Sequence, residues 1–225
     1  MIVEELPTAE LVAMRGAALI AEAAREAVSL RGAFTMALSG GKTPWVMLRH
    51  LTEADMPWSQ TQIFQVDERI APDGSLDRNL TLLNAGLAST DPALLAQVHP
   101  MPVTADNLDA AAAEYAIELE KYCGTPAVLD LVHLGLGTDG HTASLVPGDP
   151  ALEVTDCDVT LTGVYQERRR MTLTYPMLNR ARKVLWIVTG AEKAERVRQL
   201  IAGDPSIPVG RVASENALLI VEKTS

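Results

Sequence analysis

The sequence predicts an α/β fold: one domain over residues 1–225, with a mainly parallel open sheet, helices on both faces and a few added antiparallel strands. Short apolar runs alternate with helical patterns along the chain, which is typical of a parallel sheet covered on both faces. The 225 residues are 48% apolar and 21% charged, a balance that suits a globular core. No repeat, low-complexity tract or linker divides the chain, so a single domain is expected.

The first predicted element is a long helix over residues 8–31. Apolar side chains recur there at near-helical spacing, Thr8 can cap the start and Gly32 can end it. This pattern indicates a helix that covers one face of the sheet.

A strand, a loop and a second helix are predicted next. Residues 34–38 form a short apolar run, Ser39-Gly-Gly41 a turn, and the following helix has Thr43 as its cap and Pro44 at its first position. A later helix is predicted at 191–202. Four further apolar runs predict strands at residues 62–66, 128–134, 184–188 and 217–221.

Two Thr-rich segments differ from these apolar runs. Residues 158–164 and 171–174 alternate polar and apolar side chains with a period of two. That alternation predicts the added antiparallel strands.

Charge and cysteine content exclude several classes of function. Lys and Arg number 19 against 29 Asp and Glu, and the net charge of -10 repels nucleic acid and anionic membranes. Cys123 and Cys157 are too few for a disulfide framework and too far apart for a metal knuckle. Acidic residues near the N-terminus do not fit a secretory signal, and no apolar run is long enough to span a membrane. A cytoplasmic protein is expected.

Polar and glycine residues gather where the predicted strands end. In an open parallel sheet, ligands bind beyond the carboxyl ends of the strands, because loops and helix N-termini converge there. Four segments occupy such positions, at residues 38–44, 66–69, 134–148 and 189–193.

The first of these segments favours an anion. Gly40 and Gly41 let the backbone approach a ligand closely, the N-terminus of the following helix attracts negative charge, and Lys42 adds a cation. A tight turn with nothing bound is the alternative. A nucleotide P-loop is excluded, because Met36 stands where that motif needs glycine and Pro44 breaks its continuation.

The segment Gly135-Leu-Gly-Thr-Asp-Gly140 matches a dinucleotide fingerprint by letters alone. That fingerprint must open a helix, and Pro147 leaves little room for one. We interpret the loop instead as presenting Asp139 and His141 to a small ligand, since histidine suits proton transfer near neutral pH. A purely structural histidine is the alternative.

The remaining histidines point to no metal site. His50, His99 and His133 have no companion at metal-ligand spacing, so no metal is predicted. The sequence also lacks a Gly-x-Ser-x-Gly elbow, so a serine acyl-enzyme is not predicted.

Charged residues near the strand ends are candidate ligand contacts. Asp67 can bind a hydroxyl and Arg69 an anionic oxygen, whereas Asp77-Arg-Asn79 is interpreted only as a helix cap. The run Arg168-Arg-Arg170 is interpreted as a source of local positive charge in an acidic chain, with a basic surface run as the alternative. Lys193 lies in the first turn of its helix, where the dipole disfavours a cation, and this placement suggests a ligand.

Four blocks together resemble the 6-phosphogluconolactonase family. They lie in the same order and at similar spacing over nearly the whole chain. The blocks are Leu-Ser-Gly-Gly-Lys-Thr-Pro at 38–44, Asp-Glu-Arg at 67–69, Leu-Gly-Leu-Gly-Thr-Asp-Gly-His-Thr-Ala-Ser-Leu-Val-Pro-Gly at 134–148, and Arg-Met-Thr-Leu-Thr at 170–174.

The resemblance implies hydrolysis of 6-phosphogluconolactone in the oxidative pentose phosphate pathway. Because the sequence has no cluster of metal-ligating residues, neither a metal nor an organic cofactor is expected. His141 would be the general base, with Asp139 or a backbone carbonyl orienting its ring. The resemblance places the small-molecule lactone among eight substrate-binding residues: Gly40, Gly41, Lys42, Thr43, Asp67, Arg69, Arg170 and Lys193. The N–H groups of the glycine loop and a nearby cation would stabilise the oxyanion, and the four cations of this set are the candidates for that role and for binding the phosphate. Either a monomer or a small homo-oligomer is compatible with the sequence.

Two alternatives remain. Glucosamine-6-phosphate deaminases share the Asp-Gly-His element, but their next residues resemble Ile-Ala-Phe-Asn-Glu-Pro, and Ser144-Leu145 provides no acid for ring opening. A non-catalytic sugar-phosphate sensor would normally carry a partner- or DNA-binding module, and the charge of this chain is wrong for DNA.

Overall fold

A seven-stranded parallel sheet forms the centre of the computed structural model, which describes residues 1–88 and 97–223 and all their side chains except that of Lys42. The strands are β1 (Ile2–Leu6), β2 (Phe34–Leu38), β3 (Thr61–Gln65), β4 (Asp67–Arg69), β5 (Val98–His99), β6 (Leu131–Leu134), β7 (Val159–Leu161), β8 (Arg170–Leu173), β9 (Val184–Val188) and β10 (Ala217–Glu222). The helices are α1 (Ala9–Arg31), α2 (Lys42–Glu53), α3 (Asn79–Ala88), α4 (Leu108–Cys123), α5 (Tyr175–Asn179) and α6 (Ala194–Ala202).

The main sheet runs in the order β1-β10-β9-β6-β2-β3-β5, with every neighbouring pair parallel. Successive residues point to opposite faces. Met36 belongs to the apolar cluster that includes residues of α1, α2 and α3, whereas Ala37 belongs to the cluster that includes residues of α4 and α6. Because both faces are covered, every residue of the central strands β9, β6 and β2 is buried. The predicted fold class is confirmed.

A small antiparallel sheet of order β4-β8-β7 lies beside the end of β3. In it Asp67 pairs with Thr172, and Val159 pairs with Leu173. The antiparallel strands predicted from the Thr-rich segments are therefore confirmed. The pairing places Arg69 opposite Arg170, directly beyond the carboxyl edge of the main sheet.

Helix α1 begins and ends as its sequence predicts. The hydroxyl of Thr8 accepts a hydrogen bond from the N–H of Leu11 at 3.2 Å, which satisfies one free donor of the first turn. Gly32 adopts the left-handed conformation at φ 79°, and its N–H bonds the carbonyl of Val28.

The predicted cap of α2 is wrong. Gly41 occupies the cap position without a side-chain bond, and the helix begins at Lys42. The hydroxyl of Thr43 lies instead 2.7 Å from that of Thr189, directly after β9, so it links the first turn of α2 to the loop that follows β9.

Other boundaries differ modestly from prediction. The strand expected at 128–134 begins only at Leu131, and the helix expected at 191–202 opens with a 3-10 turn, Ala191–Lys193, before α6. Among the residues that the structure describes, no helix is long and apolar enough to cross a membrane.

Candidate functional site

An open cleft of about 570 Å³ lies at the carboxyl edge of the main sheet. Its walls come from the loops that follow β2, β6 and β9, together with the small antiparallel sheet. This is where an open parallel sheet places a ligand, because several loops converge there.

The loop after β6 carries a histidine–carboxylate pair. Nδ1 of His141 lies 2.6 Å from Oδ1 of Asp139, and the same oxygen accepts the backbone N–H of His141 at 3.1 Å. An ionised carboxylate only accepts hydrogen bonds, so Nδ1 carries the ring proton and Nε2 is the basic nitrogen. His141 lines the cleft and Asp139 supports it from behind.

Position 137 requires glycine because the side chains of His141 and Asp139 pack directly against its Cα. An added Cβ there would lie 2.1 Å from Nδ1 of His141 and 2.8 Å from Oδ1 of Asp139. The N–H of Gly137 bonds the carbonyl of His141, and the N–H of Gly140 bonds that of Gly137. These two groups therefore hold the loop and are not the oxyanion donors that the sequence suggested.

The charge on Asp139 is stabilised by its hydrogen bonds. Burial by itself would raise the pKa of Asp139, but bonds from the backbone and ring of His141 and from the hydroxyl of Tyr165 outweigh it and lower that pKa. Asp139 is therefore a carboxylate at neutral pH, ready to stabilise a protonated imidazole.

Asp67, Arg69 and Asn79 form a hydrogen-bonded cluster on the opposite wall. Nη1 of Arg69 donates to Oδ1 of Asn79 at 2.7 Å, while Nδ2 of Asn79 donates to the carbonyl of Asp67 at 3.1 Å. An added Cβ at Gly40 would lie 2.0 Å from Oδ1 of Asn79, so the glycine lets the β2 loop approach this cluster.

Glu68 anchors the same wall from inside the protein. Its side chain is fully buried and accepts the backbone N–H groups of Arg69, Asn79 and Leu80 at 2.8–2.9 Å. A carboxylate at the N-terminus of a helix interacts favourably with the helix dipole. Glu68 thereby fixes the start of α3 relative to β4.

A second chain of contacts connects Asp67 to Arg170. The hydroxyl of Ser144 donates to Oδ2 of Asp67 at 2.5 Å and accepts from Nη1 of Arg170 at 3.4 Å. Burial lowers the pKa of Arg170, with Asp67 opposing that effect. A guanidinium starts from so high a pKa that it stays charged, so Arg170 brings a buried positive charge to the cleft.

The far end of the cleft contains Lys193, Thr189 and two acids. Lys193 ends the 3-10 turn before α6, and burial lowers its pKa while the neighbouring Glu192 raises it. Glu222, at the end of β10, accepts the N–H of Gly190 at 3.1 Å and so shapes the loop that carries Lys193.

Comparison with known proteins identifies the family. A family model described as "Glucosamine-6-phosphate isomerases/6-phosphogluconolactonase" matches residues 7–221. The chain belongs to this family. The match confirms the family that the four short sequence blocks predict.

Two curated members of the family are similar over most of the chain. A 6-phosphogluconolactonase of Synechocystis sp. is 38% identical over 183 residues, covering 79% of this chain and 75% of the relative. That of Mycobacterium tuberculosis is 34% identical over 235 residues, covering 98% and 95%. The crystal structure of a 6-phosphogluconolactonase from Thermotoga maritima has a TM-score of 0.86 at 26% identity, covering 99% of both chains.

The structure gathers the predicted site residues into one place. Asp139 does not line the cleft itself but bonds His141, which does. The side chain of Lys42 lies outside the part of the chain that the structure describes. The others line the cleft: Gly40, Gly41, Thr43, Asp67, Arg69, His141, Arg170 and Lys193.

Several residues of this site were missed from the sequence. The sequence pattern predicts only a helix cap at Asn79, whereas in the structure its side chain joins Arg69 to Asp67. Its position in the polar segment after Asp67-Glu-Arg69 was the available signal. Ser144 and Tyr165 gave none, because each makes its contact across the fold.

The other histidines have hydrogen-bond partners of their own, which for His133 is the backbone N–H of Ser39. His50 bonds Glu10, and His99 bonds both Glu118 and Gln62. Within residues 1–88 and 97–223, no group of three or more His, Cys, Asp or Glu side chains could hold a metal ion.

Proposed function

We propose that this member of the family hydrolyses 6-phosphoglucono-1,5-lactone to 6-phosphogluconate, as a step of the oxidative pentose phosphate pathway. The observation that carries the proposal is the Asp139–His141 pair, whose imidazole faces a cleft also lined by Arg69, Arg170 and Lys193. A base beside clustered cations suits the attack of water on a lactone that carries a phosphate.

His141 performs the proton transfers. Nε2 takes a proton from water as the water oxygen attacks the lactone carbonyl, and Asp139 stabilises the imidazolium that forms. The carbonyl oxygen becomes an oxyanion. When the ring C–O bond breaks, the imidazolium returns the proton to the departing ring oxygen, so no covalent intermediate is required.

The cations of the cleft stabilise two negative charges of the reacting substrate. One is the oxyanion, which is stabilised only as it forms, and the other is the phosphate, which contributes binding and orientation throughout. Arg69, Arg170 and Lys193 lie in the described walls of the cleft, and Lys42 stands in the sequence between Gly41 and Thr43, which also line it. The Gly40-Gly41 loop is proposed as the phosphate cradle, or its neighbour.

Residues after His141 favour the lactonase over the deaminase of the same family. Ser144 is buried and bonded to Asp67, and Leu145 is fully buried. Neither brings a carboxylate into the cleft for opening a sugar ring. A sugar-phosphate sensor would bind in the same cleft but would turn nothing over.

We also propose that the whole chain forms one catalytic domain in the cytoplasm. The family match from residue 7 to residue 221 supports one domain. Cys123 and Cys157 are free thiols, which supports a reducing compartment.

The test is to give purified protein fresh 6-phosphogluconolactone and glucosamine 6-phosphate in separate assays. Acid release from the lactone, above its spontaneous hydrolysis, is expected, with no ammonia from the amino sugar. Ammonia release would establish the deaminase, and binding without either product would establish the sensor.

A further inference from the structure

Tyr165 contacts both members of the Asp139–His141 pair. Its hydroxyl donates to Oδ2 of Asp139 at 2.9 Å, while Oδ1 accepts from His141. We infer that Tyr165 is a positioning residue, whose hydroxyl holds the carboxylate of Asp139 so that His141 presents Nε2 to water. The inference rests on the proposed hydrolysis, in which His141 is the base.

A tight turn between β7 and β8 brings Tyr165 to this place. Gln166 and Glu167 both have left-handed backbone conformations, with φ of 49° and 64°. Tyr165 and Arg168 close the turn through two backbone hydrogen bonds, of 2.9 and 3.3 Å. Such paired left-handed residues are typical of a two-residue hairpin turn. The tyrosine is therefore carried by the hairpin rather than by a free loop.

The ring of Tyr165 packs on two residues of the cleft. It meets the imidazole of His141 edge-on, with centroids 5.4 Å apart, and the guanidinium of Arg170 lies 4.9 Å from its centre. These contacts belong to the ring, whereas the bond to Asp139 belongs to the hydroxyl. Removing only the hydroxyl therefore separates the two contributions.

The hydroxyl is a donor under the conditions of turnover. Burial and the adjacent Asp139 both raise the pKa of Tyr165, so the phenol keeps its proton. With both oxygens bonded, the carboxylate is fixed in orientation. Without the hydroxyl, the carboxylate can rotate about its terminal torsion, which is intrinsically broad, so it no longer fixes the orientation of the imidazole.

The hydroxyl also draws negative charge away from the carboxylate. Removing it leaves Asp139 better able to stabilise a protonated His141, so the acid limb of the rate should move to higher pH. The other charged groups that line the cleft are unchanged by that substitution. They are Asp67, Arg69, Arg170, Glu192, Lys193 and Glu222.

The test compares Tyr165→Phe with Tyr175→Phe. Tyr165→Phe should lower kcat about tenfold, with KM changed less than about twofold, and should shift the acid limb upward. Tyr175 donates to the carbonyl of Pro208 and does not line the cleft, so Tyr175→Phe removes a buried hydroxyl without touching Asp139. It should change neither kcat nor the pH profile.

The tautomer of His141 provides a readout that needs no substrate. Imidazole ¹⁵N shifts, assigned by the signal missing from His141→Asn, should show one tautomer in the wild type and a mixture in Tyr165→Phe. Unchanged tautomer, kcat and acid limb would overturn the inference, as would a loss confined to KM. If the wild type turns over no lactone, the proposed hydrolysis fails while the tautomer still tests Tyr165.

Discussion

Gly137 packs so closely against His141 that a Cβ at the glycine would lie 2.1 Å from Nδ1 of the imidazole. Gly137→Ala must therefore displace His141, Asp139 or the loop itself. A displacement of about 1 Å at a catalytic group can cost about 10²-fold in rate, so kcat should fall by that order. The measurement is steady-state hydrolysis of the lactone, with thermal unfolding recorded in parallel.

Gly135→Ala is the matched control for this substitution. It adds the same methyl group two residues away, where nothing lies within 4 Å of the added Cβ. Its kcat should stay within about threefold of the wild type, against the larger loss expected from misplacing the base. Equal losses in both variants would mean that the contact with His141 is not the cause.

His141→Asn tests the general base directly. Asparagine keeps a polar side chain of similar reach but cannot take the proton from water, so kcat should fall about 10²- to 10⁴-fold with KM little changed. The acid limb of the wild-type rate should vanish in the variant. Spontaneous hydrolysis of the lactone must be subtracted at each pH, and a variant within about threefold of the wild type would leave His141 with a structural role only.

The cationic wall predicts a preference for a phosphorylated substrate. Charge-assisted bonds from Arg69, Arg170 or Lys193 to phosphate should make kcat/KM about 10- to 100-fold higher for 6-phosphogluconolactone than for gluconolactone. Lys193→Met should narrow that ratio if this end of the cleft holds the phosphate. Similar efficiencies for the two lactones in the wild type would contradict a phosphate site.

Turnover is predicted to need no metal. The proposed mechanism uses only His141, Asp139 and the cations of the cleft, so overnight chelation should leave kcat unchanged. Loss of activity on chelation, with recovery when zinc is added, would contradict the prediction.

Local patterns and long-range contacts account for what the sequence could and could not predict. The position of His141 was predictable because a glycine loop after an apolar strand must lie at the sheet edge. Strand β1 was missed because Ile2–Leu6 is a mostly exposed edge strand, paired only with β10, and lacks a buried apolar run. Thr43 was misassigned because its partner, Thr189, lies 146 residues away.

The same distinction holds within the site. Asp139 is two residues from His141, so their pairing follows from the loop itself. Tyr165 reaches Asp139 from a hairpin 26 residues later, and only the folded sheet places that hairpin. Sequence reasoning therefore found the base and its nearest support but not the residue behind them.

The last prediction concerns His133, which is fully buried in β6 between the two apolar layers. Burial lowers its pKa to about 4, from an ordinary value near 6.5 that it regains on unfolding. Between these values the unfolded chain binds a proton that the folded chain does not, so acid favours unfolding. The contribution of neutral His133 to the free energy of unfolding should be fully present above about pH 6.5 and should decline progressively as the pH falls toward 4.

His133→Gln provides the comparison, because glutamine does not titrate and can still accept the N–H of Ser39 that Nδ1 of His133 accepts at 3.4 Å. From pH 8 to pH 5, the free energy of unfolding of the wild type should drop by about 2 kcal/mol more than that of the variant. Urea unfolding at each pH measures this difference, and it removes the contribution of groups common to both proteins. Parallel pH dependence in the two proteins would show that His133 does not resist protonation in the folded state.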